Sequence, residues 1–319
     1  MTRGHSYTGH KPQMDAILYR REPSLWDHLF DPLLFLGTKL YRFTTQLKIG
    51  NLKSSHTSIR IVCLSDTHND HASTSPLPDG DILIHAGDLT QSGTKRELFN
   101  ALSWLHDQPH TIKLFIAGNH DMALNDTEVV KEVHATYPGL IYLQDSSTKI
   151  IVRGQELTVF GSPQTPRSGS WPFEYSRITS ITSETLKAPW SNIPSHTDIL
   201  ITHGPPAYHL DHNDLGCMAL LQALWKIRPR LHVFGHVHAG RGVERGSWDF
   251  TQKAYETLRR EKGGFRNFLV LLVGAFTDAL ARLWRGTMPT SQSTIFVNAA
   301  VVGGFWDELR RGATVVDIE

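Results

Sequence analysis

Five short signatures hold the side chains of this sequence best suited to chemistry: D-T-H at 66–68, G-D at 87–88, G-N-H-D at 118–121, H-G at 203–204 and G-H-V-H at 235–238. They supply Asp66, His68, Asp88, Asn119, His203, His236 and His238: two carboxylates, one amide oxygen and four imidazoles. Such a mixed nitrogen and oxygen set suits zinc, iron or manganese rather than calcium. It is too large for one tetrahedral ion. It fits two divalent ions sharing a carboxylate and a hydroxide, and ions about 3.5–4 Å apart are the arrangement used for in-line displacement at phosphorus. Coordinated water loses a proton near neutral pH, and the cations neutralise the phosphoryl oxygens that would repel it. The departing oxygen then needs a proton. His120 directly follows Asn119 and is the expected general acid, with Asp121 or another carboxylate to orient it. If the extended backbone of L-H-V-F persists, His236 and His238 face one point, because strand positions i and i+2 share a side.

Each signature follows a short apolar run: I-R-I-V-C-L, D-I-L-I-H, I-K-L-F, D-I-L-I-T and L-H-V-F. Continuous runs of this length read as strands covered on both faces. Helical patterns lie between them. In T-K-R-E-L-F-N-A-L-S-W-L-H, Leu98, Leu102 and Leu105 share a face, and Thr94 with Glu97 makes a capping box. C-M-A-L-L-Q-A-L-W-K-I-R reads as a second helix, stopped by Pro229. Strands alternating with helices predict an α/β layered fold, whose ligands gather at the carboxyl ends of the strands. Two late strands, T-I-F-V-N and T-V-V-D-I, are expected to complete a second sheet.

Residues 1–56 and about 245–292 leave this rhythm. The first segment reads as an N-terminal extension with one or two amphipathic helices, and the second as a helical insertion in a domain spanning 57–319. Phe268, Leu271, Leu272, Ala275, Ala279 and Leu283 are predicted to share one helical face. Both segments set Lys and Arg beside apolar stretches. They read as decoration on the core, with peripheral membrane or protein contact as the other reading.

A chain of 319 residues with a hydrophobic share of 40%, a charged share of 20% and a net charge of +1 has the composition of an ordinary soluble protein. That balance argues against a nucleic-acid partner. Cys63 and Cys217 are too few for a disulfide framework and suit a reducing, cytoplasmic location. The most apolar stretch, 268–276, is too short to span a bilayer.

Taken together and in this order, the five signatures resemble the calcineurin-like metallophosphoesterase superfamily, over about residues 57–245 plus the C-terminal strands. The resemblance implies a four-layer α/β/β/α sandwich with two metals between the sheet edges. It implies that Asp66, His68 and His238 hold the first metal, that Asp88 bridges, that Asn119, His203 and His236 hold the second, and that His120 is the acid. G-S-P-Q-T-P at 161–166 with Trp171 and Phe173, H-G-P-P at 203–206 and R-P-R-L-H-V-F-G-H at 228–236 resemble a metallophosphoesterase-domain-containing subgroup, itself similar to class III cyclic nucleotide phosphodiesterases. Some animal members have glycine where His236 stands, which implies weakened metal binding there. The histidine here implies an active centre.

The function expected is hydrolysis of a small phosphodiester or phosphomonoester by a metal-bridging hydroxide, with His120 protonating the leaving group. Protein phosphatases of the superfamily follow G-D with an aspartate and a phosphate-gripping arginine, where this chain reads G-D-L-T-Q-S-G. The alternative is a scaffold that kept the fold and lost the chemistry; retention of all seven ligands and His120 argues against it. Arg167, Arg177 and the loop A-Y-H-L-D-H-N-D-L-G are further candidates to meet substrate, the loop's other reading being a polar surface segment.

Overall fold

The apolar runs before the five signatures are all strands. The computed structural model describes residues 31–49, 58–74, 76–167, 169–177, 189–212, 214–285, 293–303 and 309–319; residues 1–30 and 50–56 of the predicted extension, and 286–292 of the predicted insertion, lie outside them. β1 (Ile59–Leu64), β2 (Ile82–His85), β3 (Ile112–Phe115) and β4 (Leu140–Tyr142) run parallel. β5 (Ser146–Val152) and β6 (Gln155–Ser162) then form a hairpin. A two-residue ribbon, β7 (Thr165–Pro166) and β8 (Glu174–Tyr175), leads to β9 (Ile199–Thr202), β10 (Leu231–Phe234), β11 (Gly242–Gly246) and β12 (Thr294–Asn298). A second short ribbon, β13 (Val302–Gly303) with β14 (Leu309–Arg310), precedes β15 (Thr314–Ile318). The helices are α1 (Pro32–Ile49), α2 (Lys95–His106), α3 (Thr127–Thr136), α4 (Met218–Ile227), α5 (Phe250–Arg260) and α6 (Phe265–Arg285).

Alternation along β1 shows how the layers arise. Successive strand side chains take opposite faces. Ile59, Ile61 and Cys63 therefore enter one core, shared with Val159, Ile201 and Val233 of the other sheet. Val62 and Leu64 enter another, against Leu98, Leu102 and Leu105 of α2. The second sheet repeats the pattern: Leu200, Phe234 and Phe296 turn outward to Leu220 and Leu224 of α4. The result is the expected helix, sheet, sheet, helix stack. The sheet orders are β15-β1-β2-β3-β4 and β11-β12-β10-β9-β6-β5. Only β12 joins the second sheet; β15 instead pairs antiparallel with β1, where Val316 and Ile318 reach the core between the sheets. The Thr94 and Glu97 capping box forms as predicted.

At one end the sheets are stitched together, Ser65 after β1 pairing with the segment after β12 (Ser65 N to Ala299 O, 3.0 Å; Val301 N to Ser65 O, 2.9 Å). This seam holds the signature residues.

Helices α1, α5 and α6 make a satellite core through Tyr41, Tyr208, Tyr255, Leu258 and Leu271. The face of α6 differs from the predicted one. Phe268, Leu271 and Ala275 turn inward, while Leu272, Ala279 and Leu283 stay exposed. The helix is apolar on both sides, so periodicity alone does not choose the side that α1 and α5 cover. The loop after His203 is not a polar surface segment either. His209 is fully buried, its Nδ1 2.6 Å from Glu244 and its Nε2 3.3 Å from Glu256, which also accepts from Trp225 and Gln252.

Burial alone would push the His209 pKa down; Glu244 and Glu256 outweigh it and raise it to about 10. A histidine raised on folding stabilises fully below its unfolded value of about 6.5, and the contribution is lost as pH climbs through the folded value. His209→Gln leaves the buried Glu256 and the part-buried Glu244 without their cation and is expected to cost about 3–5 kcal/mol. Urea denaturation across pH should show that the variant also loses the wild-type decline in stability between about 6.5 and 10.

Candidate metal centre

Past the strand ends the chain turns sharply. Asp66, His68, Asp88 and His236 have φ of 56°, 43°, 54° and 64°. This left-handed region is entered by aspartate, asparagine and histidine more readily than by other residues with a Cβ. Each such residue costs on the order of 1–3 kcal/mol, which the surrounding contacts must offset. The signature glycines serve close approach. A Cβ on Gly118 would strike the Asp88 carboxylate, and one on Gly235 would strike that of Asp66.

The turns gather two groups of side chains. Asp66, His68 and His238 form one, and Asp88, His203 and His236 the other; within each, one ligand atom per residue lies within 4.8 Å of the rest. Asn119 joins the second group, its Oδ1 3.1 Å from His203 Nε2. Asp88 faces both: its Oδ2 lies 3.2 Å from His203 Nε2 and 3.7 Å from His68 Nε2. All seven predicted side chains are thus brought together. His236 and His238 do not face one point, however. Strand β10 stops at Phe234, His236 is left-handed and His238 opens a short 3-10 turn, so the two imidazoles enter different groups.

The electrostatics favour cations. Burial pushes the Asp66 carboxyl up, but His238 beside it, with His203, outweighs burial and holds it at about 2. Asp88 is held well below the usual range despite its burial, by His203 and His120. Burial keeps His68 and His236 low, the latter at about 3, so both imidazoles are neutral and carry a free lone pair. Both ring nitrogens of His68 are buried without a hydrogen-bond partner. His203 Nδ1 lies 2.9 Å from the Ala86 carbonyl, which can only accept, so that nitrogen carries the hydrogen and Nε2 faces Asp88 and Asn119. A backbone carbonyl fixing one ring nitrogen is the usual support for metal binding by the other. The donor set, the unpartnered His68 and the two buried carboxylates fit divalent cations.

His120 borders both groups, and His68, Asp88 and His120 form a third cluster within 4.8 Å. Its backbone N–H donates to Asp88 Oδ1 (2.8 Å), and its ring stacks on Trp171 with centroids 4.7 Å apart. Nδ1 donates to the Gln91 carbonyl (2.8 Å), which leaves Nε2 to exchange a proton at the site. Asp121 does not orient this ring, contrary to expectation. Its carboxylate accepts from the N–H groups of Leu89, Thr90 and Gly118 and from the Thr90 hydroxyl, tying the two loops together. Burial and nearby Asp88 push its pKa up to about 6 against those donors. The role of Gln91 rests on a backbone carbonyl, which no residue type announces. Trp171 stood within a recognisable motif, yet nothing in its position pointed at His120. Asn298 was also missed: its Nδ2 donates to Val237 O (2.9 Å) and Leu210 O (3.2 Å), bracing the loop between His236 and His238. Arg177 Nη1 donates to Leu215 O at 3.3 Å.

Chelator treatment is expected to lower the thermal midpoint by about 5 °C, since a ligand at about 100 times its Kd adds roughly 2.7 kcal/mol. Manganese or zinc should restore it. Gly235→Ala, which drives a methyl group into Asp66, should abolish that response in calorimetry.

Comparison with known proteins bears on the same span. Residues 59–240 match the family model described as calcineurin-like phosphoesterase. A probable rhamnogalacturonate lyase C of Emericella nidulans is 43% identical over 317 residues, 96% of this chain but 29% of that protein. A UPF0046 protein of Caenorhabditis elegans is 34% identical over 249 residues, covering 72% of this chain and 81% of its own. Human metallophosphoesterase domain-containing protein 1 is 37% identical over 213 residues, 58% of this chain and 62% of its own. With its signature residues folded into the seam between two sheets and more than half its length within the family span, the chain belongs to the calcineurin-like phosphoesterases.

Proposed function

We propose that this chain is a binuclear-metal hydrolase of small phosphoesters, with a phosphodiester preferred over a phosphoprotein. One observation carries the reading: a single oxygen, Asp88 Oδ2, faces ligands of both groups, and His120 clusters with Asp88 and His68. Asp66, His68 and His238 would hold one ion, Asn119, His203 and His236 the other, and Asp88 would bridge. Bound there, two divalent cations would supply an activated water near neutral pH and neutralise the phosphoryl oxygens. The protein's own part is proton placement. Gln91 O keeps a hydrogen on Nδ1 and Trp171 holds the ring plane, so the His120 imidazolium gives its Nε2 proton to the departing oxygen and is left neutral with the remaining hydrogen on Nδ1. The absence of a guanidinium clamp after G-D supports the small-substrate reading. Thr90 there is engaged with Asp121, and the Gln91 carbonyl with His120.

The scaffold reading and this one separate on manganese-stimulated hydrolysis of bis(p-nitrophenyl) phosphate by purified chain containing two metal equivalents. No turnover with any of the three metals would leave the scaffold. His120→Ala is expected to lower kcat by about 10²–10⁴ for an alkyl diester, which needs a proton on its leaving oxygen, with metal content unchanged. The loss should be far smaller for p-nitrophenolate, a stable anion. Trp171→Ala should lower kcat and displace the pH–rate profile, and Trp171→Phe should restore both, because a ring face and not the indole N–H holds His120.

A further inference from the structure

Helix α6 is apolar on the side that no part of the described chain covers. Phe265, Leu269, Val273, Phe276, Leu280 and Trp284 recur at spacings of three and four and so form one stripe along its 21 residues. All are exposed, Phe276 by 64% and Trp284 by 89%. Single exposed apolar residues are ordinary, but a continuous stripe of this kind marks a surface that meets something.

Charge identifies the partner. Arg260, Lys262 and Arg266 are exposed where the stripe begins, and Glu261 among them already lies within 3.5–4.0 Å of both arginines. The helix's one acid, Asp278, is half-buried on the opposite side. A second copy of the chain would meet like charge in either direction, because the far end of the helix again reads L-A-R-L-W-R. An anionic lipid surface meets both features, taking the apolar stripe below its headgroups and the cations among them. Among the described residues no helix is long and apolar enough to cross a membrane. We infer that α6 lies in the plane of an anionic membrane surface and docks the protein there.

Flotation of the full chain with vesicles tests this, using phosphatidylcholine alone or in equimolar mixture with phosphatidylserine. Binding is expected to the mixed vesicles, weakening with salt. Lys262→Glu with Arg266→Glu should reduce it on the order of a hundredfold, while Val273→Glu with Phe276→Glu should abolish it with an unchanged circular dichroism spectrum. Failure of the wild type to bind either vesicle would overturn the inference. So would binding indifferent to Val273→Glu and Phe276→Glu. A dimer in solution that those two changes dissociate, without vesicle binding by the wild type, would reassign the stripe to self-association and equally end the proposal.

Discussion

A carboxylate taken out of water costs several kcal/mol unless positive charge or hydrogen bonds replace the lost hydration. Asp66 and Asp88 are both in that position, at the seam where the two sheets meet. Protein contacts offset part of the cost: the His236 N–H reaches Asp66 at 3.0 and 3.1 Å, and the His120 N–H reaches Asp88 at 2.8 Å. The rest falls to imidazoles. Yet His68 and His236 are driven neutral by the same burial, which leaves His203 and His238 as the rings placed to answer two charges. A seam built this way is well suited to cations, because they satisfy carboxylates and neutral imidazoles together.

That constraint explains the local backbone. Bringing strand ends from two sheets to one place requires each to turn within a residue or two. Left-handed aspartates and histidines do this while keeping a side chain that can reach the centre, which glycine cannot. Glycines are instead placed beside the ligands, at 118 and 235, where a methyl group would displace a carboxylate. The alternation of glycine with Asp, Asn and His in the signatures is therefore a record of steric roles as well as chemical ones.

How much of this was legible follows the same division. The buried strands were readable because runs such as I-L-I-T admit few other placements, and their order at strand ends located the seven side chains. The fate of β15 was not readable: T-V-V-D-I suits either sheet edge, and only its antiparallel register with β1 decides it. Spacing alone set His236 and His238 facing one point; their division between two groups, which the family resemblance implied, comes with the left-handed backbone at 236 that spacing does not encode. Asp121 looked catalytic by adjacency to His120. Its neighbour's ring and its own carboxylate point to different partners, which sequence proximity does not reveal.

The satellite helices meet the seam through one loop. The segment after His203 is held on its outer side by Tyr255, whose hydroxyl donates to Tyr208 O at 3.4 Å, and by His209 between Glu244 and Glu256. On its inner side Asn298 grips Leu210 O, and the same amide reaches Val237 O between His236 and His238. One asparagine side chain thus ties the loop under the satellite helices to the loop that carries two of the candidate ligands. Buried, doubly donating and at the end of β12, it can move only if both loops move. A force applied at α5 therefore has a short path of hydrogen bonds to the loop that carries His236 and His238, and the ion cluster at His209 makes the outer half of that path stiff.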